Sequence, residues 1–232
     1  MPRIASSPIR ARKTASAGAE PRAPAIGPLT PHLYTPSPAR PMRAKLQHLK
    51  TDTRVVLHNH PWAQLAISAT GVVRLTAERG TYIVPPSRAL WIPPGVDHAL
   101  TVVEGADLLT LYLHQPRGHC GPEVPRARQA AWRQCRVLEV SGLLRALALE
   151  MDTRPDGAGP APTAEALQRE RRLGALIRDE LRRAAPVRLG VDLPAEKRLR
   201  ALCEAVLDAP ARHATLEGWA RDAGASPRTF AR

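Results

Sequence analysis

Cysteine is scarce in this chain of 232 residues, which has only Cys120, Cys135 and Cys203. The three lie far apart and none belongs to a CxxC pair, so the sequence predicts neither a disulfide framework nor a cysteine-based zinc site. Such usage is typical of a reducing compartment. We therefore expect a cytoplasmic protein.

Long apolar runs and acidic residues are also few. No apolar run approaches the roughly 20 residues that a membrane-spanning helix needs, so no membrane partner is expected. Asp and Glu together number 21, against 34 Lys and Arg, and the formal net charge is +13. Most of this excess lies in residues 1–50, so charge alone is weak evidence for a nucleic-acid partner.

Residues 1–41 are rich in Pro, Ala, Ser and Arg and show little apolar periodicity. Such a segment buries too little apolar surface to offset the entropy lost on ordering, so we expect a disordered tail. Met42 directly precedes the first patterned sequence and is a candidate start of translation.

Seven short apolar runs broken by turn residues follow between Arg54 and His114. They occupy residues 55–57, 65–68, 72–76, 82–84, 89–92, 100–103 and 108–113. Runs of this length and spacing predict an all-β sandwich or barrel, which we assign to residues 42–116. Strands and helices do not alternate here, which argues against a nucleotide-binding α/β sheet.

Residues 117–192 begin as a polar linker and then show helical periodicity. The apolar positions that repeat at this spacing are Leu143, Leu144, Leu147, Ala148 and Met151, and then Leu173, Leu176, Ile177 and Leu181. Two amphipathic helices joined by a loop at residues 156–162 predict a helical hairpin. Its apolar stripe packs either on the β domain or against a second copy of the chain.

Residues 193–232 carry the start and stop signals of short helices. Thr215 is a candidate N-cap, Gly224 can end the same helix in the left-handed conformation, and Ser226 followed by Pro227 marks a second helix start. A helix, a tight glycine turn and a second helix form a helix-turn-helix pattern. The chain is thus expected to be α+β: an N-terminal β-sandwich or barrel, a helical hairpin and a partial all-α helix-turn-helix domain.

Two histidines and a glutamine are spaced so that their side chains can lie on one face of a strand. In an extended strand His58, His60 and Gln64 point to the same face, and the turn at residues 93–97 can bring His98 beside them. Three imidazoles and an amide oxygen allow two interpretations. One is a site for a divalent ion such as zinc, nickel or iron(II); the other is a metal-free pocket whose side chains bond an effector or one another.

Three aromatic residues extend this candidate site. Trp62, Tyr82 and Trp91 are placed to line the mouth of a barrel, where small ligands commonly bind. The alternative is that Trp62 and Trp91 are core aromatics. No Ser-His-Asp or Cys-His arrangement is evident, so no catalytic residue is predicted.

The spacing of the histidines resembles the two motifs of the cupins. These motifs read histidine-x-histidine, three residues, a carboxylate, six residues and glycine, and then proline-x-glycine, two residues and histidine. The matching positions are His58, His60, Gln64, Gly71, Pro93, Gly95 and His98. Gln64 stands where metal-binding cupins usually have glutamate, which removes the anionic ligand.

The β domain, the helical hairpin and the partial helix-turn-helix follow one another in the order typical of the AraC family of transcription regulators with a cupin-type sensor. The chain resembles this family over about residues 44–232. Residues 88–98 and 215–232 carry most of this resemblance. It implies that a small molecule is sensed in the cupin domain and that the adjoining helices form a homodimer. It also implies that double-stranded DNA is bound by two helix-turn-helix units joined by a long helix.

Only part of the first unit is present in residues 193–232. The resemblance places Ser226, Arg228, Thr229, Ala231 and Arg232 at the start of its recognition helix. An arginine there can bond a guanine edge, or it can contact phosphate or solvent. We assign Trp219 and Phe230 to the core of this unit. So short a segment buries little apolar surface, so we expect a truncated unit with impaired DNA binding.

Two other interpretations stay open. The chain could be a metal-dependent cupin enzyme of the dioxygenase or isomerase type, with the C-terminal helices as decoration. It could also be a truncated sensor that forms mixed dimers with an intact regulator.

Overall fold

Two six-stranded sheets form the body of the computed structural model, which describes residues 25–27, 29–77, 80–209, 211–212, 215–222 and 224–230. The strands of the first sheet are β1 (Ala25–Ile26), β3 (Arg54–His58), β5 (Val72–Ala77), β6 (Gly80–Val84), β8 (His98–Glu104) and β12 (Gly190–Asp192). Their spatial order is β1-β3-β8-β5-β6-β12.

The second sheet packs face to face on the first. Its strands are β2 (Met42–Leu49), β4 (Ala63–Ser68), β7 (Arg88–Ile92), β9 (Ala106–Leu113), β10 (Arg136–Glu139) and β11 (Pro186–Val187). Their order is β11-β10-β7-β4-β9-β2. The seven predicted apolar runs lie in β3 to β9, which confirms the prediction of a β-sandwich.

The two sheets differ in how their faces are covered. Strand β5 alternates between buried and half-buried residues, whereas β4 is buried along its whole length. An inner core between the sheets includes Leu75 and Leu90, and an outer core on the far side of the second sheet includes Trp91 and Leu144. The second sheet is therefore covered on both faces, which is why the sequences of its strands β4, β7 and β9 are nearly continuous apolar runs.

Five helices follow the strand-rich segment within the described ranges. They are α1 (Gly142–Leu149), α2 (Ala164–Arg183), α3 (Lys197–Asp208), α4 (Leu216–Asp222) and α5 (Pro227–Phe230). The hydroxyls of Ser141 and Thr163 cap α1 and α2 by accepting hydrogen bonds from the first turn. Leu144 of α1 and Ile177 of α2 are buried in the outer core, so the helices cover the second sheet.

The helices near the C-terminus begin and end where the sequence signals predict. The Thr215 hydroxyl accepts from the Gly218 amide at 3.3 Å, and Gly224 has φ +61°. Trp219 is buried, in agreement with its predicted core role. The side chain of Phe230 lies outside the described part of the chain. Among the described residues, no helix has both the length and the apolar character to cross a bilayer.

The predicted boundary at residue 116 does not coincide with the end of the sheets. Strand β10 pairs with β7, while β11 and β12 extend the second and first sheets. These strands come from residues 117–192, a segment predicted to contain a linker and helices. Each is only two to four residues long, too short to show a clear period in the sequence.

Part of the tail that was predicted to be disordered is ordered. Strand β1 pairs with β3, and residues 29–41, which we call the arm, lie against the sandwich. Tyr34 of the arm is buried, and the Arg40 guanidinium donates to Glu170 of α2 at 2.7 Å. A proline-rich arm needs no apolar periodicity, because it docks through single side chains. Residues 1–24 lie outside the described residues.

Candidate functional site

Three histidines meet at one end of the sandwich. His58 ends β3 and pairs in register with His98, which begins β8. Their ring centroids are 4.3 Å apart, and the His60 centroid lies 5.1 Å from that of His98 and 6.2 Å from that of His58. The predicted approach of His98 to the other two is confirmed. His60 lies beyond the end of β3, so the turn after the strand, rather than a shared strand face, brings it in.

Backbone contacts hold the two motif segments together. The Gly95 amide donates to the His60 carbonyl at 2.9 Å, and the Asn59 side chain donates to Asp97 at 2.6 Å. Gly95 has φ +74°, which glycine adopts without strain. The other motif glycine, Gly71, has φ +66°. A Cβ there would lie 2.1 Å from the Gly105 carbonyl oxygen, so that position requires glycine.

All three imidazoles are fixed in the same tautomer. The Nδ1 atoms of His58, His60 and His98 lie 2.8–2.9 Å from the backbone carbonyl oxygens of Val56, Trp62 and Val96. A carbonyl oxygen only accepts, so each Nδ1 carries a proton. Burial lowers the pKa of His60, and it lowers the pKa of His98 to about 4. Both rings are therefore neutral at physiological pH, with a lone pair on Nε2.

The side chain of Gln64 contacts the Nε2 atom of His60. The Nε2 atom of His60 lies 2.8 Å from Oε1 of Gln64. An oxygen cannot donate, so this contact needs either a second ring proton or a half-turn of the amide that presents its NH2 group. The lowered pKa of His60 favours the neutral ring, so we assign the amide nitrogen to face it.

This arrangement does not suit a divalent metal ion. Gln64 supplies no negative charge, and its amide is bonded to His60. Within the described ranges, no group of three or more His, Cys, Asp or Glu side chains is arranged to hold a metal. The metal set predicted from sequence, His58, His60, Gln64 and His98, thus gains no support from this geometry.

Two buried polar atoms at the site have no hydrogen-bond partner in the described part of the chain. They are Nε2 of His98, an acceptor, and Nε1 of Trp62, a donor. The Trp62 ring stacks on His60 with centroids 5.1 Å apart and planes 5° apart. Buried polar groups are nearly always paired, so these two mark a place where a ligand can supply the missing bonds.

The other two aromatic residues predicted to line the pocket lie elsewhere. Trp91 is fully buried in the outer core, where its Nε1 donates to the Trp132 carbonyl at 2.8 Å. The prediction that Trp91 binds the effector is therefore wrong. Both faces of β7 are buried, so the alternation of residues along the strand does not reveal which face meets the other sheet. Tyr82 packs against the inner core and on Gly190, at the edge where β6 meets β12. It lies two strands from β8, apart from the histidines, and its effector-binding role stays a prediction.

Several polar residues inside the sandwich were missed from the sequence. Arg43, Lys45, Thr110 and Tyr112 are each no more than 5% exposed. In the paired strands β2 and β9, Arg43 is opposite Tyr112 and Lys45 is opposite Thr110. The Tyr112 ring lies 5.6 Å from His60, so this polar row continues from the histidines. The alternation of apolar and polar residues in β2 is a signal for a strand, but it suggests that the charged face is solvated.

The predicted DNA-contacting residues are described only in part. Ser226 and Arg228 are exposed at the start of α5. Thr229 lies within α5, but its side chain is outside the described residues, as are Ala231 and Arg232. The exposure of Arg228 is compatible with contact to a large partner.

Residues 44–203 match the family described as the AraC-like ligand binding domain. The chain is also similar to the HTH-type transcriptional regulator NimR of Escherichia coli K12. The two are 28% identical over 176 residues, which cover 76% of this chain and 58% of that regulator. The chain therefore spans less than two thirds of the length of this relative.

Three solved structures each match about a third of the chain. A conserved Streptococcus pyogenes protein of unknown function is 21% identical and covers 33% of this chain and 67% of its own, with a TM-score of 0.32. Oxalate decarboxylase from Bacillus subtilis is 24% identical, covering 32% and 21%, with a TM-score of 0.30. A cupin-2 protein from Shewanella frigidimarina is 18% identical, covering 32% and 71%, with a TM-score of 0.29.

Proposed function

Because the chain belongs to the AraC-like ligand binding domain family, we propose that it is a transcriptional regulator that senses a small-molecule effector inside its β-sandwich. The regulator NimR matches most of the chain, in keeping with regulation rather than catalysis. No reaction through a metal follows from the site, because position 64 has a neutral amide in place of a carboxylate and this amide is bonded to His60.

The unpaired atoms at the histidines carry this proposal. An effector that donates to His98 Nε2 and accepts from Trp62 Nε1 would satisfy two buried groups that otherwise destabilise the fold. The proposed effector-binding residues are His58, His60, Trp62, Gln64 and His98. These uncharged, fixed side chains favour a small molecule that binds through a few hydrogen bonds.

A homodimer is proposed through the exposed side of α1 and α2. Leu143, Leu149 and Leu176 are each at least 50% exposed on these helices, although the opposite side packs in the outer core. Both alternatives for the helical stripe are therefore compatible with the structure, since different leucines serve each. Effector binding would then favour one arrangement of the dimer over another.

DNA binding is proposed for α4 and α5, with double-stranded DNA as the partner. The proposed contacts are Ser226, Arg228, Thr229, Ala231 and Arg232. The helices from α3 to α5 bury few apolar side chains, among them Leu202, Trp219 and Ala220. We therefore propose that residues 193–232 bind DNA only weakly on their own.

A gel-shift selection from genomic DNA tests this function. We expect the full chain to retain particular fragments against competitor DNA, with an affinity that falls steeply as salt rises. Arg228→Ala should weaken specific binding by about 10-fold to 100-fold, the equivalent of about 1–3 kcal/mol. The matched control is Arg126→Ala, an exposed arginine far along the chain from α5.

The same selection can refute the proposal. Removing residues 1–24 tests whether their basic charge accounts for binding. Retention without sequence preference, lost entirely on that deletion, would show that the tail attracts DNA non-specifically and that α5 does not read it.

A further inference from the structure

A buried lysine without a counter-ion lies beside the proposed effector site. Lys45 is 3% exposed, and its side chain points into the sandwich from β2. Burial lowers its pKa to about 8, which still leaves most of the ammonium charged at neutral pH. A buried charge is strongly unfavourable unless it is paired, so the lack of an anion beside Lys45 calls for an explanation.

The neighbours of Lys45 do not supply a negative charge. The residue opposite it on β9 is Thr110, and the next one along on that face is Tyr112. Arg43, on the same face of β2, is itself a cation, but it is paired with Asp156 at 2.6 Å. Among the described residues, no carboxylate lies within ion-pair distance of Lys45.

The partners that Lys45 does have are weak ones. Its ammonium donates to the Thr30 hydroxyl at 3.4 Å and lies 5.2 Å from the centroid of the Tyr34 ring. Thr30 has φ +48°, a left-handed conformation that is strained for a β-branched residue. Both partners come from the arm, so the segment that covers Lys45 makes only one long hydrogen bond to its ammonium, and it does so through a strained residue.

From this geometry we propose that the effector is a small organic acid, bound as its carboxylate to the ammonium of Lys45. The proposal deepens the effector-sensing function above and depends on it for the location of the site. Tyr112 connects the two parts. It is opposite Arg43 in the β2–β9 pairing, two residues along the same face from the pair of Lys45 and Thr110, and its ring centroid lies 5.6 Å from that of His60. One carboxylate would balance the one interior cation that the described residues leave uncompensated.

Thermal denaturation of the full chain with matched probes tests the proposal. The probes are acetate, butyrate, hexanoate, octanoate, benzoate and phenylacetate, each compared with its primary amide at constant ionic strength and pH 7. We expect at least one acid to raise the melting temperature by about 3 °C or more, and its amide to have little effect. Lys45→Met should abolish this shift, whereas Lys50→Met, which removes an exposed lysine close by, should retain it.

A second measurement uses only the wild-type protein. Acylation by an amine-reactive reagent is followed at Lys45 and Lys50 by peptide mass spectrometry. The acid that raises the melting temperature should slow acylation of Lys45 at least fivefold and leave Lys50 unaffected. This readout keeps the test valid if Lys45→Met does not fold.

The proposal is overturned if none of the six acids stabilises the protein more than its amide, or if the stabilisation survives in Lys45→Met. It is equally overturned if a stabilising acid fails to protect Lys45. These measurements contain no DNA. A failed gel shift would therefore contradict the regulator function but not carboxylate binding. Specific DNA binding with no response to the acids would contradict only the proposal that Lys45 binds a carboxylate.

Discussion

His60 and Gln64 are hydrogen-bonded to each other, with Nε2 of the imidazole 2.8 Å from the side-chain amide. The pair engages two of the four side chains in the predicted metal set, which also includes His58 and His98. It is a consequence of the amide at position 64, because a neutral side chain can bond a neutral imidazole without adding charge to the interior. The chemistry of the site therefore depends on one side-chain charge.

Restoring that charge should create a metal site. We expect Gln64→Glu to bind zinc or nickel at least about tenfold more tightly than the wild type, since a carboxylate adds an anionic ligand beside three imidazoles. Titration calorimetry of protein purified without a histidine tag measures the change, with Gln64→Leu as the control. Near-stoichiometric metal in the untagged wild-type protein, found by elemental analysis after reconstitution, would contradict our account of the pair.

Substitution by Phe should destabilise the protein much more at Trp91 than at Trp62. Trp91→Phe removes part of a buried ring and leaves the Trp132 carbonyl with only the weak Cys120 thiol as a donor, so it should lower the free energy of unfolding by about 2–3 kcal/mol. Trp62→Phe removes an indole N–H that has no partner among the described residues, so stability should change by no more than about 1 kcal/mol. Urea denaturation measures both. Equal losses would mean that Trp62 is also a core residue.

Two left-handed glycines provide a matched test of close backbone packing. Gly71→Ala should destabilise the protein by about 3 kcal/mol or more, because a Cβ would collide with the Gly105 carbonyl as well as strain φ. Gly157 has φ +83° with no atom within 4 Å of its would-be Cβ, so Gly157→Ala should cost only about 1 kcal/mol. Denaturant midpoints compare the two. A small effect at Gly71 would show that the β5–β8 end of the sandwich relaxes easily.

Lys45 should make stability depend on pH in the alkaline range. Its folded pKa of about 8 lies below the value of 10.5 for a free lysine. The unfolded chain therefore binds more protons between these values, and the free energy of unfolding gains about 1–3 kcal/mol from this group as pH rises from 8 to 10.5. The stability contribution is complete above pH 10.5 and is lost as pH falls through 8.

Comparison with a variant isolates this dependence. Arg43, Tyr34 and Tyr112 also face Lys45, and burial raises the pKa of both phenols, which opposes the trend at high pH. The difference between the wild type and Lys45→Met, measured by denaturation at each pH, removes these shared contributions. A flat difference between pH 8 and 10.5 would show that Lys45 titrates normally and is not desolvated.

The local pattern of the sequence determined much of this fold. Apolar runs placed β3 to β9, helical spacing placed the stripes of α1 and α2, and Thr215 and Gly224 marked the ends of α4. The motif spacing also brought His98 to His58 and His60. Each of these features depends on steric rules that act within a few residues or across one turn.

Only the tertiary structure decided which face of a strand meets which layer. Trp91 lies in the outer core because α1 and α2 cover that face of the second sheet, and no strand period distinguishes two buried faces. Arg43 is buried because Asp156, 113 residues further on, supplies its counter-ion, and Lys45 is buried under an arm with no apolar period. Such burial depends on contacts between distant segments, and the free energy of a buried charge is set by the group that reaches it in space.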